Sequence, residues 1–450
     1  MAEPDAPAPW ERTPPGRRTR VFRTFTGLVF LCSLGVAIAT WIAMSRPFDP
    51  GQRSALTVRL DPGTARAAAE LPRSPGSIIA LTYHEVDDHD GAGGTLSRRL
   101  FGEHMAALAA AGYRTVRLRD VEDLLAHRPV RLPPRALLLT FDDGQLTDWT
   151  TADPVLKKYG FTATSFLTTG RIVAPGTPSH YLSTAQVRAL AATGRWEFGS
   201  HGHAMHTAAA VPGDIAPPLP NRVLVNGAAE PIERWRARVQ ADLARSRSFF
   251  RRTLGHDVTA FSYPFGATGR AGNDPRIRDE LPELIRRAGF GEAFAGENVP
   301  AGHVDAVTGA APRWELPRIG VRATTSVADL LEMIRGAVPA PPPRDLSTLP
   351  WAGDLATCRR RGSHLAVTSD EYGSCLLSGV NTAGWTDYRV STSVSGLDAR
   401  TSAVIAVRDG AGAGHRGRAE IVIGAAAVVV RRQVGEAPAV VVRRVRLAPR

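Results

Sequence analysis

The chain has 450 residues, 55 of them Lys or Arg and 43 Asp or Glu, for a formal charge of +12, with 43% hydrophobic and 22% charged residues. That length leads to an expectation of two to three domains of ~150 residues, and the near-average composition excludes a disulfide-stapled miniprotein, a chain disordered throughout and a multi-span transporter. The positive balance does not mark a nucleic-acid binder. Only Lys157 and Lys158 are lysines, the arginines are dispersed, and no zinc-knuckle, basic-zipper or aromatic RNA-binding pattern accompanies them. An anionic wall or membrane surface is the better neighbour for such a chain.

The first predicted element is a transmembrane helix over residues 25–44. Phe25 to Met44 is a run of twenty residues without a charge, the length a helix needs to cross a ~30 Å hydrocarbon layer. Arg12, Arg17, Arg18, Arg20 and Arg23 precede it, an excess of cations that keeps the tail 1–24 cytoplasmic and puts everything after Ser45 outside. The expectation is a single-pass protein of the cell membrane. The alternative is secretion after cleavage at the small-x-small site of Ala43 and Ser45, although the apolar run exceeds the ~7–15 residues of a signal core. Residues 45–76, rich in Pro, Gly, Arg and Ala without steady apolar periodicity, are expected to be a linker.

From residue 77 to 336 strand-length apolar runs (77–83, 136–141, 161–167, 196–199, 258–263) alternate with stretches of helical spacing (100–111, 151–159, 184–192, 233–253, 275–288). Alternation of this kind predicts an α/β domain with a parallel sheet, and about seven units favour a distorted (β/α)7-type barrel with its chemistry at the carboxyl ends of the strands. Residues 337–350 carry five prolines and are expected to be a stiff linker. Short β-favouring runs separated by Gly-rich turns fill 351–450, which predicts an all-β sandwich. Within it Cys358 and Cys375 are a pair able to close a loop in an oxidising compartment, two buried free thiols being the alternative.

Three strand ends carry the candidate chemistry. Thr140-Phe141-Asp142-Asp143-Gly144 follows the run ALLL; adjacent carboxylates at a strand end point to different sides, so one can bind a metal while the other faces substrate. Asp-Gly alone is an ordinary turn. Ser200-His201-Gly202-His203-Ala204-Met205-His206 places three imidazoles within six residues of a chain with only 12 histidines, and imidazoles with one carboxylate are the donors of a catalytic zinc site that keeps a position open. Thr82-Tyr83-His84-Glu85 ends another strand, and Ser262-Tyr263-Pro264-Phe265-Gly266 makes a turn able to aim a backbone N–H into the same place.

The ordered set TYH, TFDDG, SHGHAMH and SYPFG resembles the polysaccharide deacetylases of carbohydrate esterase family 4, the NodB-homology domain, in the branch of poly-N-acetylglucosamine deacetylases. The resemblance covers about residues 77–336. It implies Asp142 as general base, Asp143, His201 and His206 as ligands of a divalent metal, most often Zn2+, His84 as general acid, and the Tyr263 backbone amide as oxyanion donor. It implies an N-acetylhexosamine polysaccharide as substrate. Two positions depart from the pattern: Gly202 stands where a hydroxyl residue is usual, and Ser262 where an arginine often opens the third motif. Arg318, in Leu316-Pro317-Arg318-Ile319-Gly320, is a candidate to replace that cation and orient Asp142; a strand-end surface Arg is the alternative. Residues 351–450 resemble concanavalin-like sandwich modules through Trp385-Thr386-Asp387-Tyr388, with Trp351 and Trp385 as candidate glycan contacts, although aromatics in a sandwich are more often core. Two rival functions stay open: a non-catalytic glycan-binding protein, and a glycoside hydrolase using Asp142 with Glu85 or another carboxylate.

Overall fold

The run from Ala136 to Asp143 is buried at every position, as expected of a parallel strand covered on both faces, whose sequence is then a continuous apolar stretch. It lies inside a parallel sheet whose strands are β1 (Ile78–Tyr83), β2 (Arg114–Thr115), β3 (Ala136–Asp143), β4 (Ala163–Leu167), β5 (Trp196–Ser200), β6 (Ala260–Ser262), β7 (Glu292–Phe294) and β8 (Ile319–Gly320). The order across the sheet is β7-β6-β5-β4-β3-β1-β8, with β2 beside the start of β3. The sheet curls, and one segment reaches both of its edges: Leu316 bridges Phe294 of β7, while Ile319 and Gly320 pair with Leu81 and Thr82 of β1. This computed structural model describes residues 51–88, 94–296, 304–338, 343–349, 351–368, 373–377, 381, 389–398, 401–407, 418–433 and 438–447.

Side chains alternate across the strands and divide the core in two. Ile79, Leu81, Tyr83, Leu137, Leu139 and Phe141 face outward and are buried in the larger cluster with helical residues such as Phe101, Leu156 and Trp235. Ile78, Ala80, Ala136, Leu138, Phe166, Ala260 and Phe294 fill the inside of the curl. Continuing the inner row of β3 by twos gives Thr140 and then Asp142, so alternation alone turns the first aspartate inward at the strand's carboxyl end.

The helices are α1 (Pro62–Ala69), α2 (Arg98–Ala110), α3 (Leu118–Leu125), α4 (Asp153–Tyr159), α5 (Thr184–Ala192), α6 (Ile232–Leu254), α7 (Ile277–Arg287) and α8 (Val327–Ala337). Local chemistry sets their ends. Ser183 with Gln186, and Ser326 with Asp329, form capping boxes that open α5 and α8, and Gly255 in the left-handed region closes α6.

Two expectations need correction. The linker expected over 45–76 contains α1, whose Ala68 and neighbouring Leu71 are fully buried, and Arg53 N–H donates to the Thr150 carbonyl at 2.8 Å. Small alanines packed on a core produce little apolar periodicity, so the segment resembled a tether. Nor do the described residues of 351–450 pack as the expected sandwich. The described strands form a four-stranded antiparallel sheet from Ser402–Val407 to Val440–Arg446 and two two-stranded ones. A sandwich buries the inner faces of both sheets, whereas beyond Val338 the only buried hydrophobic among the described residues is Val429, and Val440 and Val442 are 66% and 63% exposed. Cys358 and Cys375 are joined as a disulfide. Among the described residues no helix is long and apolar enough to cross a membrane; the run Phe25–Met44 and Trp385 lie outside them.

Candidate active site

Asp142 meets a fork of cations at the end of β3. Arg318 Nη1 and Nη2 donate to its two carboxylate oxygens, each at 2.8 Å, in the bidentate geometry that suits a planar guanidinium. The arginine just before β8 is 1% exposed and the aspartate 4%. Burial pushes the Asp142 carboxyl up, but the Arg318 charge, then His201, the Arg318 hydrogen bonds and His84 outweigh it and hold the group well below the usual carboxylate range. Asp142 is thus an ionised carboxylate in an enclosed place. Ser262 Oγ accepts from Arg318 Nη2 at 2.9 Å and donates to Asp142 at 3.3 Å, so the small residue of the third motif completes the pair, and the cation comes from the segment after β7. Arg318 is buried against Asp142 and is not a surface arginine.

Asp143 leaves the extended conformation, with φ of 76°, and turns away from the row that Asp142 follows. Its Oδ1 lies 3.3 Å from His206 Nε2 and 4.0 Å from His201 Nε2, and one donor atom from each of the three residues falls within 4.8 Å of the others. His201 Nδ1 is 2.9 Å from the Ser262 carbonyl. A carbonyl only accepts, so the proton sits on Nδ1 and the Nε2 lone pair faces Asp143. Burial lowers the His201 pKa to about 4 against the pull of Asp142 and Asp143, which keeps the imidazole neutral, as a ligand must be. This donor set fits a tetrahedral divalent ion with one open position. His203 does not join it: Thr169 Oγ1 lies 3.1 Å from its Nδ1.

His84 directly follows β1 and is half-buried, and its charge reaches Asp142. The Tyr263 amide does not suit the oxyanion role. Its N–H donates to the Phe294 carbonyl at 3.0 Å, continuing the hydrogen bonding of β6 with β7, and its ring is fully buried. Two residues later Phe265, with φ of 58°, stacks its ring on His206 with centroids 4.2 Å apart and is 45% exposed. Trp351 Nε1 donates to the Leu346 carbonyl at 3.0 Å, so its polar edge is engaged within the chain.

Sequence reasoning passed over Arg171 and Asp242. Arg171 follows β4, donates to Tyr181 Oη at 2.8 Å and to the His206 carbonyl at 2.6 Å, and lies 3.9 Å from Asp143; a lone arginine in a loop gives no signal. Asp242 did carry one, as a carboxylate on the apolar stripe of α6 beside Trp235, Val239 and Leu243, which are all buried.

The family model described as polysaccharide deacetylase matches residues 130–274, a range that holds Asp142, Asp143, His201 and His206 but not His84 or Arg318. A poly-beta-1,6-N-acetyl-D-glucosamine N-deacetylase of Staphylococcus aureus (strain MRSA252) is 27% identical over 268 residues, covering 56% of this chain and 80% of its own. An enzyme of the same name from Staphylococcus epidermidis is 25% identical over 190 residues, 42% of this chain and 55% of its own. Among solved structures, a de-N-acetylase from Aggregatibacter actinomycetemcomitans covers 57% of this chain and 99% of its own at 21% identity, with a TM-score of 0.48. The chain thus carries a polysaccharide deacetylase domain over residues 130–274.

Proposed function

We propose that the protein hydrolyses N-acetyl groups of an N-acetylhexosamine polymer, of the poly-β-1,6-N-acetylglucosamine kind that its relatives are named for, with a divalent ion, Zn2+, held by Asp143, His201 and His206. The observation that carries the reading is the ionised Asp142, clamped by Arg318 at 2.8 Å, beside a triad of donor atoms within 4.8 Å of one another. When bound, such an ion supplies Lewis acidity to the acetyl carbonyl and eases the loss of a proton from water. Asp142 removes the proton from the attacking water. Arg318 keeps that carboxylate ionised and aimed. The turn at Phe265, whose ring lies on His206, is placed to offer its backbone N–H to the charge gathering on the carbonyl oxygen, now that the Tyr263 amide is engaged; one such donor contributes ~3 kcal/mol. His84 protonates the departing amine, leaving acetate and a glucosamine unit.

The reaction belongs outside the cytoplasmic membrane on this reading, with the run from Phe25 to Met44 as anchor or cleaved leader; five arginines before it and the Cys358–Cys375 disulfide support export. Mass spectrometry of β-1,6-linked N-acetylglucosamine oligomers incubated with the protein, with and without chelator, tests it. Loss of an acetyl mass that chelator abolishes is expected. Asp142→Asn should retain the ion but lose turnover, and His206→Ala should lose both. Turnover retained by either variant, or shortened chains without acetate, overturns the assignment.

A further inference from the structure

The site depends on two histidines separated by a loop, and that loop is gripped from two sides. We propose that α6 is the template of the loop from His201 to His206 and that Asp242 is the residue positioning it, so that Asp242 sets metal affinity without touching the metal; this rests on the metal reading of the triad.

Arg238, Asp242 and Ser246 recur at intervals of four along α6 and therefore share one face. Each meets the loop at a successive point. Ser246 Oγ lies 2.8 Å from Ser200 Oγ, immediately before His201. Asp242 Oδ2 accepts from the His203 N–H at 2.8 Å and Oδ1 from the Ala204 N–H at 2.7 Å. Arg238 Nη1 approaches Met205 Sδ at 3.3 Å, immediately before His206. Two consecutive backbone N–H groups converging on one carboxylate form an anion nest. Here the anion belongs to the protein and is 4% exposed. Burial raises the Asp242 carboxyl, and the two N–H donors pull it back down.

The opposite side takes the loop's acceptors. Thr169 N–H donates to the Gly202 carbonyl at 3.0 Å and Gly170 N–H to the His203 carbonyl at 2.9 Å, and Arg171 donates to the His206 carbonyl at 2.6 Å. The N–H groups of His203 and Ala204 thus face one helix, while the carbonyls of Gly202, His203 and His206 face three consecutive residues after β4. The two glycines follow from this closeness. At Gly202, with φ of +78°, a Cβ would stand 3.0 Å from Asp242 Oδ2, and at Gly170 a Cβ would stand 2.4 Å from the His203 carbonyl oxygen. A residue with a Cβ at 202 would have to take a strained left-handed conformation and push Asp242 Oδ2 aside by a few tenths of an ångström.

The test is zinc affinity of the full chain, measured by competition with a chromophoric chelator, for wild type, Asp242→Asn, Ser246→Ala and His206→Ala. Asp242→Asn keeps the shape but turns an amide NH2 toward one of the two N–H groups. It should weaken zinc binding by ~10–100-fold, the scale seen when groups behind metal ligands are removed, and regain kcat when zinc is raised to saturation. Ser246→Ala should weaken binding in the same direction by less, and it decides the matter if Asp242→Asn does not fold. A folded Asp242→Asn protein with wild-type zinc affinity, or a kcat deficit that saturating zinc leaves in place, overturns the template. Wild type that binds zinc no better than His206→Ala overturns instead the metal reading on which it stands.

Discussion

Arg318 donates to five acceptors, the Ala295 carbonyl, Thr140 Oγ1, Ser262 Oγ and both oxygens of Asp142, and a guanidinium has five N–H donors to give. Nothing of it is free for substrate, so its role is to hold the base. Arg318→Lys keeps the charge but loses the fork. Steady-state kinetics should show kcat lowered about 10²-fold, the scale of a misplaced catalytic group, while metal content by elemental analysis stays at the wild-type level. A parallel loss of metal would move Arg318 into support of the triad instead. His84 differs in kind, being half-buried at the mouth of β1. His84→Ala should lower kcat by ~10²–10⁴-fold, the usual scale of general-acid help, with metal retained, and an unchanged kcat would take protonation of the leaving amine away from it. The two ends of this site differ in how plainly the sequence shows them. Asp142, Asp143, His201 and His206 stand in short motifs because one strand end or one loop supplies each group. Arg318 and Asp242 act across 176 and 39 residues of separation, where only the fold creates the contact.

Among the elements, the central strands were the most legible, since β1 and β3 are buried on both faces and open with four consecutive apolar residues, IIAL and ALLL. The two-residue β2 and β8 are too short to leave a period, and α1 hides behind its alanines. One carboxylate helps to hold the segment before α1 to the domain, beside the Arg53 N–H bond to the Thr150 carbonyl. Asp153, at the start of α4, accepts from Gln52 Nε2 at 2.7 Å, Arg195 Nε and Nη2 at 2.9 Å and Trp196 Nε1 at 2.8 Å, with a side chain 1% exposed. It ties residue 52 to the helix and to the beginning of β5, and an acidic group at a helix N-terminus is favoured besides. Asp153→Ala strands these donors. Urea unfolding should show a loss of about 2–4 kcal/mol, below the 3–5 of a fully buried pair because Arg195 keeps some solvent. A loss under ~0.5 kcal/mol would mean the segment is not part of the cooperative unit.

For the whole molecule, the pH dependence of stability turns on a carboxyl far from the chemistry. Glu292 opens β7 and shares the inward parity of Phe294, but lies at the amino end of the strand, away from the site. It is fully buried, and neither oxygen has a hydrogen-bond partner. Burial, with Glu122 of α3 adding to it and Arg313 opposing, raises its pKa from 4.5 to about 8. Between those values the folded protein holds a proton that the unfolded chain has released, so stability falls as pH rises, by at most ~1.4 kcal/mol per pH unit, until the group ionises in the folded state as well. The buried histidines run the other way. Burial lowers His104 and His201 from 6.5 to about 4, so their contribution is lost as pH falls below 6.5 and is constant above it. Across about 6.5 to 8 these histidines are silent, but burial also raises the Asp148 carboxyl well above the usual range, so the share of Glu292 is the difference between wild type and a variant that cannot ionise there. Thermal unfolding in chelator should show wild-type Tm declining across that interval, and Glu292→Gln, which cannot ionise, should make the decline shallower and raise Tm at pH 8.5 while leaving it near wild type at pH 5. A wild-type Tm flat from 6.5 to 8, with no gain from the substitution, would mean that the floor of the sheet offers this carboxyl water or a partner.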